Sequence, residues 1–122
     1  MKTLNIGSNR FTIVTIDDDS GAGGASHKYS VIEAGVSATG SASSKFASIS
    51  FQNGPIGEHG VNGCHNEDLL AIVLHRLQCF QSGAFPCKEN EMAILKIEEA
   101  IHWLNSRTRD RQKRGVEGKS EI

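Results

Sequence analysis

Residues 66–118 decide the fold: NEDLLAIVLHRLQCFQ (66–81), SGAFPCK (82–88), and ENEMAILKIEEAIHWLNSRTRDRQKRGVEG (89–118). The first segment places Leu69, Leu70, Ile72, Val73, Leu74, Leu77 and Phe80 at helical spacing, the pattern of an amphipathic helix. Asn66 stands where an N-cap belongs, and Glu67 and Asp68 follow in the first turn, where carboxylates suit the positive end of the helix dipole. Gly83 and Pro86 close a turn. A second helix then begins near Lys88. Its core face is Ile94, Ile97, Ile101 and Leu104, widened by Met92, Leu95, Ala100 and Trp103, and Gly115 is a natural stop. The apolar face of the first helix is wider than one partner helix requires, which predicts burial against another subunit as well.

Upstream, FQNGPIGEHGVNGCHNE (51–67) carries glycines at 54, 57, 60 and 63. With no proline enrichment this is not a collagen repeat. It reads as a loop that needs positive φ or a close backbone approach. Such a loop can aim several amide N–H groups at one anion, although a plain connector is the simpler reading. Phe46, Ile49 and Phe51 suggest a strand, as do Tyr29, Val31 and Ile32. Residues 35–45 are small and polar, a connection or a loop ordered by a partner chain. Residues 17–24, DDDSGAGG, read as a solvated turn, since the spacing lacks the last carboxylate of a calcium-binding EF-hand loop. Leu4 and Ile6, then Phe11, Ile13 and Ile16, flank Gly7-Ser8-Asn9 and predict a β-hairpin. The expected class is therefore α+β: a small antiparallel sheet with its glycine-rich loop over 1–65, a helical hairpin over 66–118 and a tail over 119–122, assembled as an oligomer.

At 122 residues the chain can bury only a modest core, and chains of this size often complete burial by oligomerising. The formal net charge of −1 gives no polyanion-binding signature. No apolar run approaches the roughly 20 residues that cross a bilayer. The first residues have no signal-peptide core, and three cysteines make no disulfide framework. A cytoplasmic protein with reduced thiols is expected.

Charge is concentrated at one place. Residues 107–114 hold Arg107, Arg109, Arg111, Lys113 and Arg114 against the single acid Asp110. Arg107, Arg111 and Arg114 share a helix face. Each guanidinium is a planar fork that grips phosphate with two hydrogen bonds and can stack on a purine. The plainer reading is a solvated basic helix end that complements the dipole. Phe80 and Phe85 flank the turn, about 25 Å from these arginines along the helix. If aromatic and arginine serve one ligand, they come from different chains packed antiparallel. Asn90 lies near the turn, able to read a base edge or to cap the helix, with capping the default. Catalytic motifs are missing. No histidine pair has the i, i+4 spacing of a zinc helix, and there is no nucleophile elbow or phosphate loop. No catalytic residue and no cofactor is assigned. A non-enzymatic binding role is expected.

The segments NEDLLAIVLHRL, FQSGAFPCKEN, IEEAIHWLNSRTRDR and RGVEG resemble the helical-hairpin domain of phage anti-defence nucleotide sponges of the Thoeris anti-defence family. The strong match covers 66–118, and the N-terminal half resembles the full-length family through weaker motifs. The resemblance implies sequestration, without cleavage, of a cyclic ADP-ribose isomer made by bacterial Thoeris immunity, in the cytoplasm of the infected host. It implies dimers that assemble into a hexamer, with each pocket between hairpins of two chains. By motif position Phe80 would be the stacking aromatic, Asn90 the pocket asparagine, and Arg107 and Arg111 the phosphate-binding arginines. Some members also bind cyclic trinucleotides, signals of CBASS immunity, at a separate interface. The candidate residues for that second site are Gln52, Asn53, Gly54 and Ile56. The alternative function is a small nucleic-acid-binding or regulatory oligomer that uses the basic helix end.

Overall fold

A computed structural model describes residues 2–6, 11–35 and 44–115. The chain divides into two units, Met1–Cys64 and His65–Ile122. The first is a four-stranded antiparallel meander, β1 (Lys2–Thr3), β2 (Thr12–Ile16), β3 (Lys28–Glu33) and β4 (Lys45–Ser50), in the order β1-β2-β3-β4. This is the expected small sheet, with its first hairpin pairing Lys2 to Ile16 and Thr3 to Thr15. The turn of that hairpin at 7–10 and the small polar connection at 36–43 lie outside the described residues.

Register sorts the side chains onto two faces. Val14 pairs with Val31, Ile16 with Tyr29, and Tyr29 in turn with Ile49, so one face is apolar. The Phe51 ring extends it, edge-on to Tyr29 with centroids 5.7 Å apart. Thr15 and Ser30 pair on the other face and are almost completely buried. Both hydroxyls donate to the Asp17 carboxylate, Thr15 Oγ1 at 2.7 Å. These hydrogen bonds, Ser30 first and Thr15 second, hold the Asp17 carboxyl below its ordinary value of 3.8. Burial acts to raise Asp18. The backbone N–H groups of His27 and Lys28 outweigh it and bring that carboxyl down as well. The acidic stretch is thus a self-satisfied turn, with a short 3₁₀ segment at Ala22–Gly24.

The glycine-rich stretch holds more structure than a bare loop. A helical turn, α1 (Ile56–His59), sits inside it, started by the fixed φ of Pro55 and ended by Gly60 at φ 70°. Gly54, at φ 88°, has the His59 ring where a side chain would begin. Gly63 lies against the backbone of Phe51, and an added Cβ would sit 2.6 Å from the Phe51 oxygen. That approach permits the parallel bridge between Phe51 and Cys64. Positive φ and close approach are therefore both present, as the spacing suggests, but at different glycines.

The second unit is the predicted hairpin, α2 (Asn66–Ser82) and α3 (Lys88–Lys113). Its cap differs from expectation. His65, not Asn66, is the N-cap of α2, because the Asp68 carboxylate reaches back to accept from the His65 N–H at 2.8 Å. This favours an N-cap three residues before an acid. The unit boundary accordingly falls between Cys64 and His65. Gly115 takes φ 71° just past α3, the left-handed stop its position predicts.

Among the described residues no apolar side chain is fully buried; the buried ones are Thr15, His27 and Ser30. Phe11, Phe46, Ile72, Val73, Phe80, Leu95 and Trp103 are all exposed.

Two stability outcomes follow. Gly63→Ala should lower the unfolding free energy by about 1–3 kcal/mol, the range for forced overpacking, read from urea unfolding. The Asp17 carboxyl titrates lower folded than unfolded, so its contribution is full above pH 3.8 and fades as pH falls through the folded value. Urea midpoints should drop between pH 5 and pH 3 in the natural chain. Asp17→Asn should be weaker at pH 7 and show a flatter acid limb.

Candidate functional site

The turn between α2 and α3 spans residues 83–87, too short for anything but an antiparallel return. Three contacts fix it. The Gln81 side-chain oxygen accepts from the Cys87 N–H at 2.8 Å, the Gly83 N–H donates to the Phe80 oxygen at 3.3 Å, and Cys87 caps α3. Asn90 does not cap, contrary to the default for an asparagine there. Its own N–H donates to the Cys87 sulfur at 3.4 Å, so its side-chain amide is not consumed in ending the helix.

Phe80 lies in the last turn of α2 and is 44% exposed. The guanidinium carbon of Arg76, one turn earlier, is 5.4 Å from the ring centroid, a cation–π contact. Sequence reading missed Arg76. The signal was available, since an arginine four residues before an aromatic shares its helix face. Phe80, Asn90 and Arg76 thus cluster at the turn end of the hairpin, while Phe85 sits in the turn itself and is 79% exposed.

The arginines occupy the opposite end. α3 has 26 residues and α2 has 17, so α3 overhangs by about 13 Å at 1.5 Å per residue. Arg107 and Arg111 lie on this overhang, one turn apart, Arg107 exposed and Arg111 half-buried. Arg114 is engaged by Asp110 at 3.1 Å. Of the three arginines on this face, Arg114 is tied into an i, i+4 ion pair, while Arg107 and Arg111 stand one turn apart on the overhang. From Asn90 to Arg107 the helix rises about 25 Å. One chain does not bring its turn-end residues and its arginines together.

The proposed second site lies in the sheet unit. Gln52 spends both amide donors internally, on the oxygens of Gly54 (3.0 Å) and Gly60 (2.8 Å), and its oxygen accepts from Asn62 N–H. Asn53 exchanges two hydrogen bonds with the Asn62 side chain through its backbone. Gln52 is a brace for the loop. The Asn53 side chain is exposed and Ile56 is 40% exposed. A groove elsewhere on this unit is bordered by Asp17, Asp18 and Asp19, which repel an anionic guest. Among the described residues no helix is long and apolar enough to cross a membrane.

A two-helix hairpin with an aromatic turn and a basic overhang, set after a small sheet, defines a class. The family profile described as "Acb2/Tad1, hairpin domain" matches residues 46–109, and the chain belongs to that family. The profile runs from β4 through Arg109, so it takes in Phe80, Asn90 and Arg107 and stops just short of Arg111. The chain is also similar to Thoeris anti-defense 1 of Bacillus phage SBSphiJ7, 58% identical over 77 residues, which is 63% of this chain and 54% of that protein. The chain thus spans about half the length of the curated relative it matches.

Arg76→Ala should cost the hairpin no more than about 1 kcal/mol, the size of an exposed cation–π contact. Thermal melting followed by helical circular dichroism checks this. A loss of several times that size would mean Arg76 is part of the fold and not of an exposed end.

Proposed function

We propose that the protein is a phage anti-defence sponge. It binds a cyclic ADP-ribose isomer made by bacterial Thoeris immunity in the host cytoplasm and releases it unaltered. Membership in the hairpin family and similarity to a protein named for Thoeris anti-defence support this reading. The observation that carries it is the pairing of unlike ends: an exposed aromatic at the turn, two guanidinium groups on the overhang, and about 25 Å between them in one chain. Two hairpins packed antiparallel put one chain's Phe80 beside the other's Arg107 and Arg111. The base then stacks on Phe80, the Asn90 amide reads its edge, and the two guanidinium groups hold the pyrophosphate. Dimers of this kind assemble further, into a hexamer as a trimer of dimers. The loop at Asn53, Gly54 and Ile56, braced by Gln52, is the site for cyclic trinucleotides of CBASS. No group in the pocket does chemistry, so the action is sequestration.

The competing reading is a small nucleic-acid-binding or regulatory module that uses the basic overhang. It predicts oligonucleotide affinity falling steeply with salt, about one counterion per phosphate neutralised. The Asp110–Arg114 pair and the net charge of −1 weigh against it.

Isothermal titration with cyclic ADP-ribose isomers, followed by heat denaturation and mass analysis of released ligand, decides between the two. Saturable binding with intact ligand recovered is expected. No binding at micromolar protein, or a cleaved product, would overturn the proposal. Arg107→Ala and Arg111→Ala should each cost about 1.5–3 kcal/mol of affinity, the range for hydrogen bonds to charged groups, with assembly unchanged by sedimentation. Phe80→Ala should weaken binding and melting together, because that ring also covers apolar surface.

A further inference from the structure

His75 and Cys79 stand one turn apart on α2, and both are exposed. The Cys79 sulfur is 3.7 Å from His75 Nε2 and 4.0 Å from Nδ1. Zinc ligated tetrahedrally by one thiolate at 2.3 Å and one imidazole at about 2.05 Å separates sulfur from nitrogen by about 3.6 Å. The pair already has that separation. Near-equal distances to the two nitrogens place the sulfur off the line of either lone pair. A turn of the ring about its soft χ2 torsion aims Nε2 at the shared position. A rigid helix supplies the i, i+4 spacing, so little ordering cost attaches to chelation.

We propose that His75 and Cys79 form a two-ligand half-site for a thiophilic divalent metal such as zinc, completed by the same pair from a second copy of this chain. A closed zinc site takes four ligands. Among the described residues no third His, Cys, Asp or Glu joins the pair to make a larger metal-binding group. In this proposal the remaining donors are supplied by another molecule. A second copy suits this place because Ile72, three residues before His75 on the same helix face, is 58% exposed. No apolar side chain among the described residues is buried within the chain alone. A two-fold contact brings identical groups to its axis, which converts one His and one Cys into a tetrahedral S₂N₂ set. Metal then couples two hairpins through their α2 helices. The inference stands on this geometry and does not depend on the nucleotide reading.

Cobalt(II) reports the site, since a thiolate bound in a tetrahedral set gives a charge-transfer band and intense visible bands. Titration of the reduced, metal-free, full-length chain should develop both, saturate near one metal per two chains, and be bleached by zinc. Cys79→Ser and His75→Ala should abolish the bands, whereas Cys64→Ser and Cys87→Ser should keep them. No charge-transfer band, or one that survives Cys79→Ser, would overturn the site. Saturation at one metal per chain would overturn its completion by a second copy. In the natural sequence, zinc should slow alkylation of Cys79 and leave Cys87 unprotected in peptide mapping, a readout free of any folding defect in a variant. Equal protection of the two cysteines would also refute the proposal.

Discussion

The constraint on which everything else rests is the five-residue turn at 83–87. It folds α3 back along α2, so whatever lies at the end of α2 is separated from the end of α3 by the full length of a helix. Phe80 and Asn90 are held at one pole, Arg107 and Arg111 at the other. No side-chain rearrangement closes a gap of about 25 Å. A site that uses both poles is intermolecular by construction, and the overhang of α3 carries its arginines past the end of α2.

Burial points the same way. Hydrophobic surface left in water costs about 25 cal/mol per Å², and this chain leaves Ile72, Val73, Phe80, Leu95 and Trp103 exposed on its two long helices. Among the described residues, what it buries alone is polar: Thr15 and Ser30, tied to Asp17, and His27 beside the Asp18 turn. The sheet unit is thus pinned by hydrogen bonds to carboxylates, while the hairpin leaves much of its apolar surface exposed. The wide apolar stripe at 69–80 is where this surplus was visible in the sequence.

The hairpin was legible because its signals are local. A 3.6-residue period, Gly83 and Pro86 in the turn, and Gly115 at the end each act within a few residues of the feature they predict. The strands were legible for the same reason, from β-branched and aromatic runs between small-residue breaks. What escaped the sequence depends on which neighbour wins a contact. Asn66 is a good N-cap by type, but Asp68 reaching back to His65 shifts the start of α2 by one residue. Asn90 looked like a cap until the Cys87 sulfur took that role. The hydrogen bonds of the Gln52 amide to Gly54 and Gly60 carry no local sequence signal either. The helical turn at 56–59 was hidden among glycines, which carry no period. Arg76 over Phe80, and Cys79 beside His75, were within reach of an i, i+4 reading extended to unlike residue types.

The central claim is that one pocket is built from the turn of one chain and the overhang of its neighbour. Trans-complementation measures it directly. Phe80→Ala and the double variant Arg107→Ala/Arg111→Ala are each defective in cyclic ADP-ribose isomer binding on this account. Mixed, unfolded together and refolded as random dimers, they should regain tight binding at about one quarter of the sites, because each mixed dimer holds one intact pocket and one doubly defective one. A mixture that binds no better than the two variants kept apart would contradict the account.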